Sequence, residues 1–132
     1  MRYPTIFVGG FPKTKGSWIP FMTKHGIKLR PASNKMTAWA NEVKQTLHDK
    51  WKWGIIEGAV SVELSFSLPK PKTVARVFPT SKYDGDLDKL VRCIYDCLTG
   101  IVIKDDSQII DGAEHKRYEL PCGVYITVSE VM

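Results

Sequence analysis

The sequence of 132 residues has the length and composition of one globular domain, with 43% hydrophobic and 25% charged residues. No apolar segment approaches the ~20 residues that a membrane-spanning helix needs, so we expect no membrane association. The N-terminal residues contain no long apolar segment of the kind found in secretory signals. The three cysteines have no paired spacing, which favours a reducing compartment and predicts a cytoplasmic protein.

Charge is distributed unevenly along the chain. Residues 1–83 hold 14 Lys and Arg against 4 Asp and Glu, whereas residues 84–132 hold 5 Lys and Arg against 10 Asp and Glu. Such asymmetry is typical of proteins that bind nucleic acid, but it also fits two halves that neutralise each other within one fold. Charge alone does not separate these two interpretations.

The N-terminal half predicts a strand, a basic loop, a helix and a second strand. Residues 3–9 have the pattern of a short strand that ends at a pair of glycines. Proline, glycine and lysine punctuate residues 11–30, which predicts a basic loop with a short hairpin. Apolar residues at helical spacing predict an amphipathic helix over residues 35–52. Residues 60–68 alternate strictly between apolar and polar, which predicts a strand with one buried face.

The C-terminal half predicts a loop, a helix and three strands. Prolines and basic residues without a regular period predict an exposed loop at residues 69–83. Apolar residues at helical spacing predict a second helix over residues 87–98. Residues 101–103 predict a short strand, and residues 108–120 and 123–131 predict two longer ones.

Together these elements predict a single α+β domain over residues 1–132. Its expected architecture is a mixed β-sheet packed with two main α-helices. The sequence contains no internal repeat and no low-complexity tract, so nothing divides the chain further.

Five aspartates are concentrated in two short segments of the C-terminal half. Asp84, Asp86 and Asp88 occupy alternate positions, and Asp105 and Asp106 follow the next predicted helix and strand. Crowded carboxylates repel one another unless a cation neutralises them. Helix capping by Asp86 and a first-turn position for Asp88 explain one or two of these acids, but not the second segment.

A cation site formed by both segments is the interpretation that remains. A calcium-binding EF-hand loop requires Gly at position 6 and Glu at position 12, and counting from the first aspartate these positions hold Lys89 and Tyr95. Mg²⁺ prefers oxygen ligands and is often held by one or two carboxylates with substrate phosphate. A site formed by Asp86, Asp88 and Asp106 can activate a water molecule against a phosphodiester.

Arg92 lies on the second predicted helix, four residues after Asp88 and four before Asp96. Residues at this spacing are neighbours on a helix surface, so Arg92 can bridge the two carboxylates. Alternatively, its guanidinium contacts the scissile phosphate and the charge that develops there. The spacing allows both interpretations.

The acidic segments resemble the signature of the RusA-like Holliday junction resolvases. That family shows D-x-D-N-x-x-K, then D-x-L, then D-D-x-Q after a short spacer. The resemblance is dense over residues 82–110 and looser near the N-terminus and along the first helix. The matching residues are Asp86-Leu87-Asp88, Asp96-Cys97-Leu98 and Asp105-Asp106-Ser107-Gln108, with a looser match at Gly10-Phe11-Pro12-Lys13.

The resemblance implies a small homodimeric endonuclease that depends on Mg²⁺, or on Mn²⁺ in its place, and cuts branched DNA such as Holliday junctions in recombination and repair. It assigns Asp86, Asp88 and Asp106 as metal-binding acids. Lys89 stands where the family usually has Asn, and Arg92 stands where it usually has Lys. Arginine keeps the positive charge but is not a proton donor at ordinary pH. A protein of the same fold that binds junctions without cutting them is the alternative.

Basic residues near the acids are the predicted DNA contacts, because phosphate neutralisation supplies most of the affinity for DNA. Each of them also fits the description of an ordinary solvated surface charge. Phe78, in the loop before the acids, either wedges into the branch point or packs the loop down. The predicted DNA-binding residues are Lys13, Lys15, Lys70, Lys72, Arg76, Phe78, Lys82 and Lys89.

Overall fold

The structure, a computed structural model, describes residues 1–14, 18–31 and 34–132. Lys15, one of the predicted DNA contacts, lies outside these ranges. The described part of the chain contains two α-helices, a four-stranded mixed sheet and a two-stranded antiparallel sheet. The elements are β1 (Ile6–Gly9), β2 (Trp18–Thr23), β3 (Gly26–Pro31), α1 (Asn34–Lys50), β4 (Val60–Leu68), α2 (Leu87–Leu98), β5 (Ile109–Tyr118) and β6 (Gly123–Glu130).

The main sheet is mixed and has the strand order β1-β6-β4-β5. β6 runs antiparallel to both of its neighbours, whereas β5 lies at the edge and runs parallel to β4. β2 and β3 form a separate antiparallel hairpin within the segment where the sequence predicts one. The predicted α+β class, with a mixed sheet and two main helices, is confirmed.

The hydrophobic core lies between the main sheet and the two helices. Alternate residues of β4 from Val60 to Leu68 are buried, as their pattern predicts. They belong to one cluster with residues of both helices, so the helices cover this face of the sheet. The buried helix residues of that cluster are Trp39, Val43 and Leu47 on α1 and Leu90, Val91, Cys93, Ile94, Cys97 and Leu98 on α2.

The edge strand β5 carries polar residues on the face that the helices cover. In the parallel register, Lys116 lies beside Phe66 and Tyr118 lies beside Leu68. Side chains that are adjacent in register point to the same face, so Glu114, Lys116 and Tyr118 lie on the helix side of the sheet. The edge of the core beside α2 is therefore polar.

The short strand predicted at residues 101–103 is wrong. Ile101 and Val102 lie in a turn, and Ile103 forms only isolated bridges with Ile56 and Thr99. Val102 and Ile103 are fully buried, so their apolar character reflects packing into the core rather than a strand ladder. Elsewhere the predicted elements exist with ends shifted by a few residues. In the described residues, no helix is long and apolar enough to cross a membrane.

Candidate metal and nucleic-acid site

The first acidic segment, residues 81–88 (the acid loop), is a capped turn followed by the start of α2. Ser81 caps a short 3-10 turn, accepting a hydrogen bond from the Tyr83 amide at 3.2 Å. The Ser81 amide in return donates to Asp84 Oδ2 at 3.0 Å. Gly85 follows with a φ of 94°, and Asp86 is the N-cap residue of α2. The local sequence thus fixes where each aspartate lies.

Asp84 is a structural acid. Its side chain is only 5% exposed. The Tyr118 hydroxyl lies 2.8 and 2.9 Å from its two carboxylate oxygens, and the Arg76 guanidinium is 3.4 Å from Oδ2. These contacts compensate for the cost of burying the charge. Because it is buried and hydrogen-bonded at both oxygens, Asp84 does not face an exposed cation.

Asp86 and Asp88 differ from Asp84 because their carboxylates are exposed. Asp86 occupies the N-cap position, yet its side chain makes no capping hydrogen bond. Its only contact in the described part of the chain is an ion pair with Lys89 at 3.6 Å, between two well-exposed side chains. Asp88 has neither a hydrogen bond nor an ion pair with any described residue. A capping hydrogen bond therefore does not account for Asp86, whereas Asp88 does lie in the first turn of α2, where the helix dipole favours a carboxylate.

The second acidic segment forms another capped turn, over Asp106–Gln108. Asp105 accepts a hydrogen bond from the Ser107 amide at 2.9 Å, and hydrogen bonds from Ser107 lower the pKa of Asp105. The Gln108 amide group donates to backbone oxygens of Ile56 and Gly58, at 2.7 and 2.8 Å. Asp106 is exposed, and no hydrogen bond joins its carboxylate to a described residue. Like the acid loop, this turn therefore contains one aspartate that bonds the backbone and one that is exposed.

The five aspartates thus fall into two groups. Asp84 and Asp105 hold the backbone of their turns, whereas the other three accept no side-chain hydrogen bond from a described residue, and of these Asp86 is ion-paired with Lys89. Exposed carboxylates free of hydrogen bonds are the donors that a hard cation such as Mg²⁺ takes. The three free acids are Asp86, Asp88 and Asp106, which are the residues that the sequence predicts as metal ligands.

The two acidic segments lie at opposite ends of β5. Lys116, near the end of the strand, donates to the Gly85 carbonyl at 2.7 Å. Asp106 precedes Ile109, where the strand begins. Seven residues at ~3.3 Å each put roughly 20 Å between these ends. In agreement, the described residues contain no group of three His, Cys, Asp or Glu placed to hold one metal ion.

Cationic side chains near the acid loop lie on two elements, α2 and β5. Arg92 is exposed on α2, and no ion pair among described residues joins it to Asp88. The bridge from Asp88 through Arg92 that the spacing allows is therefore not formed. Lys116 lies on the facing strand β5, where the sequence alone gives no signal for a site residue. Tyr95 lies on α2, and burial and the nearby Glu114 raise its pKa.

The predicted DNA contacts surround the acid loop unevenly. Phe78 is 67% exposed, so it does not pack the loop down. Arg76 is half-buried and directs its charge to Asp84. Tyr83, which the sequence pattern does not mark as a DNA contact, is 96% exposed beside the acids. The structure leaves Lys70, Lys72 and Lys82 exposed and Lys13 and Lys89 partly so.

Comparison with known proteins identifies the family. A family model described as endodeoxyribonuclease RusA matches residues 20–129, which is most of the chain. This protein belongs to the RusA family of endodeoxyribonucleases, as the acidic motifs predict. The uncharacterized protein YqaN of Bacillus subtilis (strain 168) is 32% identical over 89 residues, which cover 58% of this chain and 61% of that protein. The match therefore spans less than two thirds of the length of that relative.

Proposed function

We propose that this protein is a Mg²⁺-dependent endonuclease that hydrolyses phosphodiester bonds in branched DNA, with the Holliday junction as its main substrate. Membership of the RusA family supports the nuclease class and a role in recombination and repair. The observation that carries the proposal is the division of the aspartates. Two are used by the fold, whereas Asp86, Asp88 and Asp106 present exposed carboxylates that accept no hydrogen bond from described residues, at positions of the family motif.

Asp86 and Asp88 are the residues that would hold the metal ion, with Mn²⁺ as the expected substitute for Mg²⁺. Two carboxylates with water and substrate phosphate are a common ligand set for Mg²⁺. When bound, the ion supplies a more acidic water and neutralises charge on the reacting phosphate. Without it, the exposed carboxylates repel DNA, so the same residues weaken binding until the metal is present.

Arg92 is the proposed phosphate contact. Its guanidinium stays charged at neutral pH and presents donors that match two phosphate oxygens. Negative charge builds on the phosphate as water attacks and the bond to the leaving oxygen breaks, so a fixed cation lowers this barrier. Because Arg92 does not release a proton, the leaving oxygen takes its proton from water.

A homodimer reconciles the position of Asp106 with a metal-binding role. Within one chain, Asp106 is roughly a strand length from Asp86 and Asp88. Two-fold symmetry places the same surfaces of two copies opposite each other. We propose that Asp106 of one copy approaches Asp86 and Asp88 of the other, which gives two equivalent sites for two symmetric cuts.

The proline-rich loop at residues 69–80, together with Lys82, is the proposed DNA-binding surface. Lys70, Lys72 and Lys82 are exposed and can neutralise converging phosphates at the junction. Phe78 projects from the same loop with 67% exposure, so we assign it as the wedge at the branch point. Lys13, Lys15 and Lys89 complete the proposed set, together with Arg76, whose guanidinium also pairs with Asp84.

Cleavage of a synthetic four-way junction tests this proposal. The wild-type protein should nick the junction at symmetric positions when Mg²⁺ or Mn²⁺ is added, and should leave linear duplex of the same sequence intact. Asp49→Asn is a matched control, because Asp49 is an exposed acid on α1 that bonds only Gln45 and His48 among described residues. Its cutting should equal that of the wild type.

The alternative function, junction binding without cutting, gains support from Lys89 and Arg92, the two departures from the family pattern. It predicts tight binding to the four-way junction with no nicks at any Mg²⁺ or Mn²⁺ concentration. Equal cutting of junction and linear duplex would instead contradict the proposed substrate while leaving the nuclease class intact.

A further inference from the structure

Asp84 and Gly85, the two residues that directly precede Asp86, are held by side chains from β5. The Tyr118 hydroxyl contacts both oxygens of Asp84, at 2.8 and 2.9 Å. Two residues earlier on the same face of the strand, Lys116 donates to the Gly85 carbonyl at 2.7 Å. Two successive residues of the acid loop are thus hydrogen-bonded to side chains of one strand.

The proline-rich loop before the acid loop joins the same network through Arg76. Its Nε donates to the Tyr118 hydroxyl at 2.9 Å, and its terminal nitrogen is 3.4 Å from Asp84. Each pair among these three residues is in contact, so the network is closed. The buried Asp84 carboxylate is costly to displace from these partners, because its charge would then be left uncompensated.

Thr14 closes the third side of the acid loop. Gly85 has a φ of 94°, and a Cβ built on it would lie 2.9 Å from the Thr14 methyl group. The position therefore requires glycine both for its backbone conformation and for the close approach. Residues distant in sequence converge on one peptide next to the free acids.

We propose that Asp84, Tyr118, Arg76 and Lys116 form a clamp that positions Asp86 and Asp88 for metal binding, with Tyr118 as its central positioning residue. This inference rests on the proposed function. Metal ligands must be held within a fraction of an ångström, and residues behind the ligands supply that order. Asp84 thus serves the site without touching metal or DNA.

The test is a metal titration of Tyr118→Phe, which removes the hydroxyl but keeps the ring on which the Arg76 guanidinium lies. Loss of a group behind the ligands typically weakens metal affinity or activity ~10–100-fold. We expect the Mg²⁺ concentration for half-maximal junction cutting to rise by about 10-fold. The rate at saturating Mg²⁺ should largely recover, and junction affinity in Ca²⁺ should not change.

Tyr125→Phe is the matched control, because Tyr125 packs against Phe7 on β1 rather than against the acid loop. It should leave the Mg²⁺ dependence unchanged. Thermal melts confirm that both variants are folded. Identical Mg²⁺ dependence of folded Tyr118→Phe and wild type overturns the clamp.

A second readout separates the clamp from the proposed function. Mn²⁺ binding to the free protein, measured by calorimetry, does not require cutting. If the wild type cuts no DNA, the proposed function fails, and weaker Mn²⁺ binding by Tyr118→Phe still supports the clamp. Equal Mn²⁺ affinity of the two proteins contradicts the clamp whether or not DNA is cut.

Discussion

The two acidic segments have the same local design. Each is a short capped turn in which one aspartate accepts a hydrogen bond from the backbone, while at least one other aspartate remains exposed. They differ in what holds them: Asp84 is buried against Tyr118 and Arg76, whereas Asp105 is exposed and bonds only its own turn. Neighbouring carboxylates of identical chemistry therefore serve different purposes, and hydrogen bonding decides which.

Removing a free acid should have the largest effect. Asp86→Asn, Asp88→Asn and Asp106→Asn should each abolish cutting, because a neutral amide is a poor ligand for Mg²⁺. Junction binding should stay equal or become tighter, since a charge that repels phosphate is lost. Cleavage and gel-shift assays measure the two effects. Wild-type cutting by any of these variants removes that residue from the ligand set.

The position of Asp106 at the far end of β5 predicts complementation between inactive variants. In a mixed dimer of Asp86→Asn and Asp106→Asn, one of the two shared sites contains only wild-type acids. Mixing the purified variants should therefore restore nicking of the junction, although each alone is inactive. Light scattering should show a dimer. No restored nicking by subunits shown to exchange contradicts the shared site.

Arg92 variants should have the next largest effect. Loss of one preorganised electrostatic group typically costs ~10²–10³-fold in rate, which we expect for Arg92→Ala in single-turnover cutting. Arg92→Lys should retain much of the activity, because the family usually has Lys there. Melting temperatures should stay close to that of the wild type, because Arg92 is exposed and forms no ion pair with Asp88. Full recovery of Arg92→Ala at raised Mg²⁺ would show that Arg92 does not contact phosphate.

Asp105 should show a small effect on stability alone. Its pKa is lowered in the folded protein, so its contribution to stability is present above the unfolded pKa and is lost as pH falls through the folded pKa. Asp105→Ala should lower the melting temperature at neutral pH and less so in acid. Thermal melts over a pH series measure this difference. An equal decrease at all pH values contradicts the role of the ionised cap.

The sequence predicts the fold better than the site. Strict alternation in β4 and helical spacing in α2 identify buried faces, because the core is formed by periodic apolar residues. The free acids follow from motif spacing. The roles of Lys116 and Tyr118 do not, because strand register across β4 and β5 brings them to the acid loop. The apolar residues around Ile103 predict a strand because buried turns and buried strands use the same kinds of apolar side chain.

Asp105→Asn and Asp106→Asn test the two roles of the aspartates most directly, because they make the same chemical change at adjacent residues. Asparagine still accepts the Ser107 hydrogen bond at position 105, so the turn should persist. We expect Mg²⁺-dependent junction cutting near the wild-type rate for Asp105→Asn and none for Asp106→Asn. Equal cutting by the two folded variants, or loss only in Asp105→Asn, would contradict the division of the aspartates into structural and metal-binding acids.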